Sequence, residues 1–271
     1  MSIDADDRGL LLGDGLFETI LWSDGALVRF EAHAARLERG CAVLGLPAPQ
    51  PGQLQFAALD AVARAELQPA RAAVRLTWTA GAGGRGLDRP ARPRPRLLAS
   101  AAPSPKPNGP ARLVTVDIRR NEGSPASRLK TLAYLDNVLA RRTARLAGAD
   151  EALMLNNRGE IACAAAANLF WFEGDALVTP ALKCGVLDGI TRGAVIERAR
   201  AMGMDVREVR ITPHALTNGR GLFLTNSLIG SRPVSTLDGA SVAPHPSLAA
   251  LRAELRRSPP RPPRRERPPC N

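Results

Sequence analysis

Lysine is nearly missing from this chain. Its 37 basic residues include only Lys106, Lys130 and Lys183 as lysines; the rest are arginines. Arginine stays protonated in proteins, whereas lysine can lose its proton and become a nucleophilic amine. A chain so biased toward arginine keeps lysine where arginine cannot serve. Aromatic residues are also few, 4% of the chain. With no alternation of basic and aromatic residues, there is no base-stacking platform for single-stranded nucleic acid. No apolar run reaches the roughly 18 residues of a membrane-spanning helix. The cysteines, Cys41, Cys163, Cys184 and Cys270, are scattered without paired or metal-ligand spacing. That excludes a disulfide framework or zinc site and leads us to expect a reduced, cytoplasmic protein without metal. The opening residues, Met-Ser-Ile-Asp-Ala-Asp-Asp-Arg, lack the basic and apolar regions of a secretory signal.

The chain of 271 residues is 45% hydrophobic, enough for a sizeable core in one large or two medium domains. The net charge of +11 and pI near 10.9 would by themselves suggest a nucleic-acid partner. Much of the excess is local, however. Residues 256–267 hold six arginines and one glutamate in a proline-rich stretch, so nucleic acid is not the expected partner.

Residues 7–20 read as a glycine-rich bend entering an apolar strand, and Ser23-Asp24-Gly25 as a turn into a second strand, Ala26–Phe30. Helical spacing covers Glu31–Leu46, with Arg36 on it, and Leu54–Leu67 is a second helix. Ala72–Ala80 alternates as a half-buried strand does. The stretch Gly81-Ala-Gly-Gly-Arg85-Gly86 then offers either a close backbone approach to a ligand, with Arg85 as a fork for an anion, or simply a hairpin tip. A strand at Arg96–Ala101 leads into four prolines. The expected organisation is a small N-terminal domain, 1–101, a linker, 102–111, a larger domain, 112–255, and a disordered Arg/Pro tail, 256–271. The second half begins with a strand at Leu113–Ile118 and a helix from about Leu132 to Leu146. Strands follow at Glu151–Leu155, Ile161–Ala164, Asn168–Phe172 and Ala176–Val178. The loop Gly185–Gly189 feeds a helix, Ile190–Met202, whose first N–H groups could take an anion. Three short strands, Met204–Val209, Gly221–Thr225 and Arg232–Thr236, precede a closing helix, Ser247–Leu255.

Among the lysines, Lys106 lies in a proline-rich loop and Lys183 in a turn. Lys130 alone sits at the mouth of a helical pattern, where it is either a surface lysine or a placed amine. The order of motifs decides. The chain reads Asp7-Arg-Gly, Gly13-Asp-Gly-x-Phe17, His33-x-x-Arg36-Leu37, Leu129-Lys130 with Asn137, Ala149-Asp-Glu-Ala152, Asn168-Leu-Phe170, Gly189-Ile-Thr-Arg192 and Pro233-Val234. Over roughly residues 7–240 this resembles the class IV aminotransferase family, the fold-type IV enzymes that use pyridoxal 5′-phosphate. The resemblance implies a two-domain α/β architecture of α+β type, usually a homodimer, acting on an amino-acid-like substrate. It implies that Lys130 attaches the cofactor and shuttles a proton. Arg36, Ile190, Thr191, Asn226 and Ser227 would hold its phosphate, and Arg85 and Tyr134 would face the substrate.

Two departures stand out. The family pattern carries a short strand before Asp7-Arg-Gly, where this chain has only Met1–Asp6. It also carries a glutamate that bonds the pyridine nitrogen, where this chain has Cys163. Glu160 lies at an odd offset and points to the opposite strand face unless a bulge intervenes. The Gly83–Gly86 loop, Cys163 among alanines and Asn168-Leu-Phe-Trp171 look most like 4-amino-4-deoxychorismate lyase. A branched-chain or D-amino-acid aminotransferase is the alternative, and a degenerate non-catalytic relative or a basic nucleic-acid binder the remote ones.

Overall fold

In a computed structural model, the structure describes residues 3–68 and 70–256. The elements run α1 (Arg8–Leu12), β1 (Gly15–Ser23), β2 (Ala26–Leu27), α2 (Phe30–Leu44), α3 (Pro51–Arg64), β3 (Ala72–Thr79) and β4 (Arg96–Pro103). They continue with β5 (Ala111–Arg120), α4 (Leu135–Leu146), β6 (Glu151–Asn156), β7 (Ile161–Ala164), β8 (Asn168–Glu173) and β9 (Ala176–Pro180). The last are α5 (Ile190–Ala201), β10 (Val206–Val209), β11 (Arg220–Asn226), β12 (Gly230–Leu237), β13 (Ala240–Ser241) and α6 (Pro246–Arg256).

Two sheets result. The first is antiparallel, ordered β2-β1-β3-β4. Period-two burial along β3 sends Val74, Leu76 and Trp78 inward, where they meet Leu37 and Cys41 of α2 and Leu54 and Val62 of α3. The second sheet has nine strands, ordered β10-β9-β8-β11-β12-β5-β6-β7, with β13 on β12. It is mixed: β5 runs parallel to β6 and β12, and β9 to β10, while its other pairs are antiparallel. Strands β6 to β9 are buried nearly throughout, so they read as continuous apolar runs rather than alternations. Helix α5 lies against α6, and its Val195, Ile196 and Ala199 join Phe170, Phe172 and Phe223 of the sheet in one cluster.

An arm joins the two sheets. β2 pairs with β1 only at Trp22 and Ser23, so the edge at Gly15–Phe17 is open on that side. Residues 130–132 fill it: Phe17 N–H donates to the Lys130 carbonyl (2.9 Å) and Leu132 N–H to the Gly15 carbonyl (3.0 Å). Gly15 has to be glycine here. A Cβ on it would lie 2.4 Å from the Trp78 carbonyl oxygen and 2.9 Å from Leu132.

The structure departs from the sequence reading in several places, among them that the helix expected over Leu54–Leu67 runs from Pro51 to Arg64. The bend at residues 8–12 is a short helix, because the Asp7 carboxylate caps the Gly9 N–H at 2.8 Å and Gly13 closes it at φ 66°. The strand expected over Ala26–Phe30 stops at Leu27, because Arg29 turns left-handed (φ 55°) and α2 begins at once. The helix expected from Leu132 starts at Leu135, because residues 130–132 are engaged in extended pairing with β1. Strand β10 begins at Val206 rather than Met204. β4 pairs with β3 as far as Pro103 and β5 already includes Ala111, so the irregular connection is 104–110 rather than 102–111. The tail expected to be disordered lies, from residue 257 on, outside the described residues. No described helix is long and apolar enough to cross a membrane.

Candidate functional site

A cavity of about 240 Å³ opens where the two sheets, the 130–132 arm and the start of α5 converge. It contains eight of the nine positions singled out from the sequence: Lys130, Arg36, Cys163, Ile190, Thr191, Asn226 and Ser227, together with Tyr134 as the expected substrate contact. Arg85 is the exception. It is exposed on its loop and takes no part in the cavity lining. The loop is held outward by Arg8, which donates to the carbonyls of Leu87 (2.8 Å) and Asp88 (2.9 Å), while Asp14 pairs with both Arg8 and Arg89. Its glycines serve the turn itself: Gly84 sits at φ 84°, and a Cβ there would lie 2.4 Å from the Asp88 carbonyl oxygen.

Lys130 Nζ lies 4.1 Å from the Phe17 ring centroid and 3.5 Å from the Tyr134 hydroxyl, and the Phe17 and Tyr134 rings meet edge to face. Burial, then the charges of Arg36 and Arg75, push the Lys130 amine down to about 7, against a partial opposing pull from Glu18. At neutral pH a large share of the amine is therefore unprotonated, the form that can attack a carbonyl or accept a proton. Burial raises the Tyr134 hydroxyl above its ordinary value, so it stays a neutral donor.

Arg36 does not stand free in the cavity. Its Nε and one terminal nitrogen form a fork with Glu18, at 2.7 and 2.6 Å, and the other terminal nitrogen donates to the Asp188 carbonyl at 3.0 Å. Glu18 also receives His33 Nδ1 at 2.6 Å, and His33 Nε2 lies 3.2 Å from Ser227 Oγ. Glu18 and His33 are each 1% exposed. Burial opposes ionisation of Glu18, but hydrogen bonds and charge from His33 and Arg36 outweigh it and hold its pKa below the usual range. This buried chain orients Arg36 and Ser227 from both sides. The sequence did carry a trace of it: Glu18 is a lone carboxylate inside the apolar run Leu16-Phe-Glu-Thr-Ile, and such residues are buried only when paired.

The opposite wall offers backbone and small side chains. Helix α5 has no side-chain cap, which leaves the N–H groups of Ile190 and Thr191 at its positive end. Gly189 is confined, since a Cβ on it would lie 2.1 Å from Asn168 Oδ1. Thr225 Oγ1 is buried in the lining without a hydrogen-bond partner among the described residues. Asn226 lines the cavity, but its side chain is committed to the turn: it donates to the Ala166 carbonyl and accepts from the N–H groups of Leu228 and Ile229. It is therefore no free anion donor.

Cys163 is buried beside Ala162 and Ala164, and burial raises its thiol pKa, so it is neutral. Glu160 does not take its place. Although β7 carries an irregularity between its pairs with Met154 and Leu155, Glu160 pairs with Arg210 at 2.8 Å and Asn156 at 2.7 Å, outside the cavity. Arg120, missed in the sequence, lines the cavity and donates to Asn137 Oδ1 (3.2 Å) and the Gly185 carbonyl (3.3 Å). Arg75 was missed too. Its guanidinium lies 3.8 Å from the centroid of the same Phe17 ring that Lys130 approaches.

The donor set fits a phosphorylated aldehyde cofactor: a neutral amine at Lys130, a guanidinium, helix N–H groups and an unpartnered hydroxyl for an anion. Comparison with known proteins agrees. The Amino-transferase class IV family matches residues 15–237. A Methanocaldococcus jannaschii protein, provisionally named a branched-chain-amino-acid aminotransferase, is 34% identical over 239 residues, 86% of this chain and 82% of its own. The aminodeoxychorismate lyase of Bacillus subtilis is 28% identical over 235 residues, 86% of this chain and 80% of its own. Among solved structures, a Legionella pneumophila protein provisionally named 4-amino-4-deoxychorismate lyase superposes with TM-score 0.87 at 30% identity, covering 94% of this chain and 95% of its own. The chain belongs to the class IV aminotransferases, enzymes that work with pyridoxal phosphate on amino-acid substrates.

Proposed function

We propose that this enzyme is an aminodeoxychorismate lyase, which releases pyruvate and 4-aminobenzoate. One observation carries the reading. The charged side chains lining the cavity are Arg36, Arg120 and Lys130, with no Asp or Glu among the lining residues. Pyridoxal phosphate, when bound, supplies an electron sink for bonds broken at the carbon bearing the substrate's amino group. Arg36, the Ile190 and Thr191 N–H groups and the hydroxyls of Thr191, Thr225 and Ser227 would hold its phosphate. Lys130 would attach it and carry the substrate's proton on Nζ, with Tyr134 fixing the amine's position.

Cys163 stands where the family pattern has the carboxylate of the ring nitrogen. A neutral thiol stabilises a protonated pyridine poorly. That suits a reaction in which the product carries charge away at once, as loss of pyruvate with aromatisation does. The substrate brings two carboxylates to a cationic cavity, in which Arg120 and Lys130 are the cations besides Arg36, while Arg75 and Arg85 lie outside the lining.

The same reading takes the four-stranded and nine-stranded sheets with their helices as two domains. It takes the enzyme as a homodimer, because α4 exposes Leu135, Val138, Leu139 and Leu146, and α1 exposes Leu10, Leu11 and Leu12, apolar surface that a second copy would cover. A cytoplasmic location keeps the free thiols of Cys41, Cys163 and Cys184 reduced.

A second reading, a branched-chain or D-amino-acid aminotransferase, is favoured by the 34% identical relative. One assay separates the two. With aminodeoxychorismate alone and no keto acid, the lyase yields pyruvate and 4-aminobenzoate. Product only from D- or L-amino acids with 2-oxoglutarate would replace the lyase with the aminotransferase.

A further inference from the structure

A second, smaller pocket of about 110 Å³ shares a wall with the cavity, since Phe17, Arg36 and Lys130 line both. Its interior is otherwise largely apolar, with Leu16 and Leu37 buried and Leu129 half-buried. Its two carboxylates already have partners. Glu18 is held by the Arg36 fork and His33, and Asp188 lies 3.7 Å from Arg192. Arg39 of α2 and Arg128, just before the 130–132 arm, complete the lining as exposed side chains. Neither makes a hydrogen bond or ion pair among the described residues. The arginines around the cavity and its flanking loop differ in this respect: Arg8, Arg36, Arg89, Arg120 and Arg192 are each tied to a carboxylate or a carbonyl.

We propose that this pocket is a second ligand site, for a small aromatic monocarboxylate whose ring enters the pocket while its carboxylate stays at the mouth with Arg39 and Arg128. Size, interior and mouth each select that class. A dry apolar cavity of roughly 150 Å³ takes one benzene, so a pocket of about 110 Å³ open to solvent takes a single ring with its substituent outside. The apolar interior favours a ring body over a small hydrated ion such as free phosphate, which would lose its water there. At the mouth, two unpaired guanidiniums favour an anion, and a carboxylate offers a pair of oxygens that matches the guanidinium fork. The occupant would touch the wall formed by Phe17, Arg36 and Lys130 without filling the cavity on its other side. The 4-aminobenzoate of the proposed function belongs to this class, but the site stands whichever reaction the enzyme performs.

The test uses the full chain with its cofactor bound, so that the cavity is occupied, and benzoate as the probe. The dissociation constant should be on the order of a millimolar, the scale for so small a ligand. Methyl NMR locates it. Leu37, Val43 and Leu129 line only the second pocket, whereas Leu187, Ile190 and Leu228 line only the cavity. Benzoate should shift the first three and leave the other three in place. Arg39→Ala and Arg128→Ala should each weaken binding by up to about fivefold, as loss of an exposed ion pair does. The charge reversals Arg39→Glu and Arg128→Glu should each weaken it by about tenfold or more, because like charges then meet at the mouth. Both side chains are exposed and unpaired, so all four variants should keep the parent's Tm. Benzyl alcohol keeps the ring without the charge, and acetate the charge without the ring; both should bind far more weakly than benzoate. Shifts confined to Leu187, Ile190 and Leu228 would put benzoate in the cavity and overturn the proposal. So would an affinity unchanged by both reversals, displacement of benzoate by an equal concentration of inorganic phosphate, or no binding of benzoate far above the millimolar range.

Discussion

The two walls of the cavity handle charge by different means. On the wall built by β1 and α2, Arg36 is held by Glu18, and Glu18 by His33, all three withdrawn from water. On the wall built by β7, residues 164–167 and the start of α5, the lining is alanine, a neutral thiol and backbone N–H groups. The first wall works through ion pairs that depend on one another, so removing one member strands the rest. The second works through shape: Gly189 leaves room for Asn168, and no ionised partner has to be matched. Lys130 belongs to neither wall. It is delivered to the seam by the arm that pairs with the open edge of β1.

The largest effect should follow from changing that arm's amine. Lys130→Arg keeps most of the length, but a guanidinium stays charged, so it neither attacks an aldehyde nor gives up its proton near neutral pH. Turnover should fall on the order of a thousandfold or more, while both walls and the thermal stability persist. In the parent, borohydride should fix the cofactor to Lys130, and peptide mapping that found the label on Lys106 or Lys183 would overturn the assignment. The rate of cofactor attachment to the empty protein should rise with pH and level off above about 7, where the amine is neutral. Below that it should fall about tenfold per unit. An ordinary lysine would still be gaining rate at pH 9.

Next in size is the ion-paired wall. Glu18→Ala leaves Arg36 and His33 buried without their shared carboxylate. Stranding a buried charge costs roughly 3 to 5 kcal/mol, which corresponds to a fall in Tm on the order of 10 °C. Phosphate affinity should drop too, because Arg36 loses its orientation. Glu18→Gln keeps the size and one of the two acceptor oxygens, the other being replaced by an NH2 donor, and should do less harm than alanine. The pH dependence has a definite sign. A carboxylate whose folded pKa is depressed contributes stability that is fully present above its unfolded value of about 4.3 and is lost as pH falls through the folded one. Parent and Glu18→Gln should therefore converge in stability only in acid, below about pH 4. Equal Tm values at pH 7 would show that the ion pairs do not hold this wall.

The contrast between the walls also explains what was legible in the sequence. That Lys130, Arg36 and the α5 start share one cavity was expected only because each lies in a motif of the family pattern. Strand β7 was read to the residue, because four consecutive apolar positions are bounded by clear turns. The partnerships were not readable. Glu18 and Arg36 are 18 residues apart, and His33 and Ser227 are 194 apart, so only the folded chain brings them together. Arg85 was misplaced because glycines that look like a ligand cradle are here needed for the turn, whose carbonyls are held by Arg8. Asn226 was expected among the phosphate donors, but its side-chain amide is committed to the turn after β11. Arg75 and Arg120 gave no signal, because in a chain this rich in arginine another one on a strand is unremarkable.

The smallest effect should come from placing charge on the neutral wall. Cys163→Glu introduces a carboxylate where the thiol is buried among alanines, and a lone buried carboxylate is costly. Arg120 is near enough to lower the pKa of the Cys163 thiol against the effect of burial, so the new group has a cation within reach. The net loss of stability should stay near 1 kcal/mol, the centre of the range for single substitutions. Two outcomes then separate structure from chemistry. If the neutral wall is what biases the enzyme toward pyruvate release, the variant should gain transamination several-fold, read as keto acid formed from an added amino acid, and lose part of its lyase rate. Its bound cofactor should also absorb differently from the parent's, because a carboxylate favours the protonated ring nitrogen. A variant equal to the parent in spectrum and in both rates would mean that residue 163 only fills space. The preference for the lyase would then rest on the cationic lining and the substrate's two carboxylates alone.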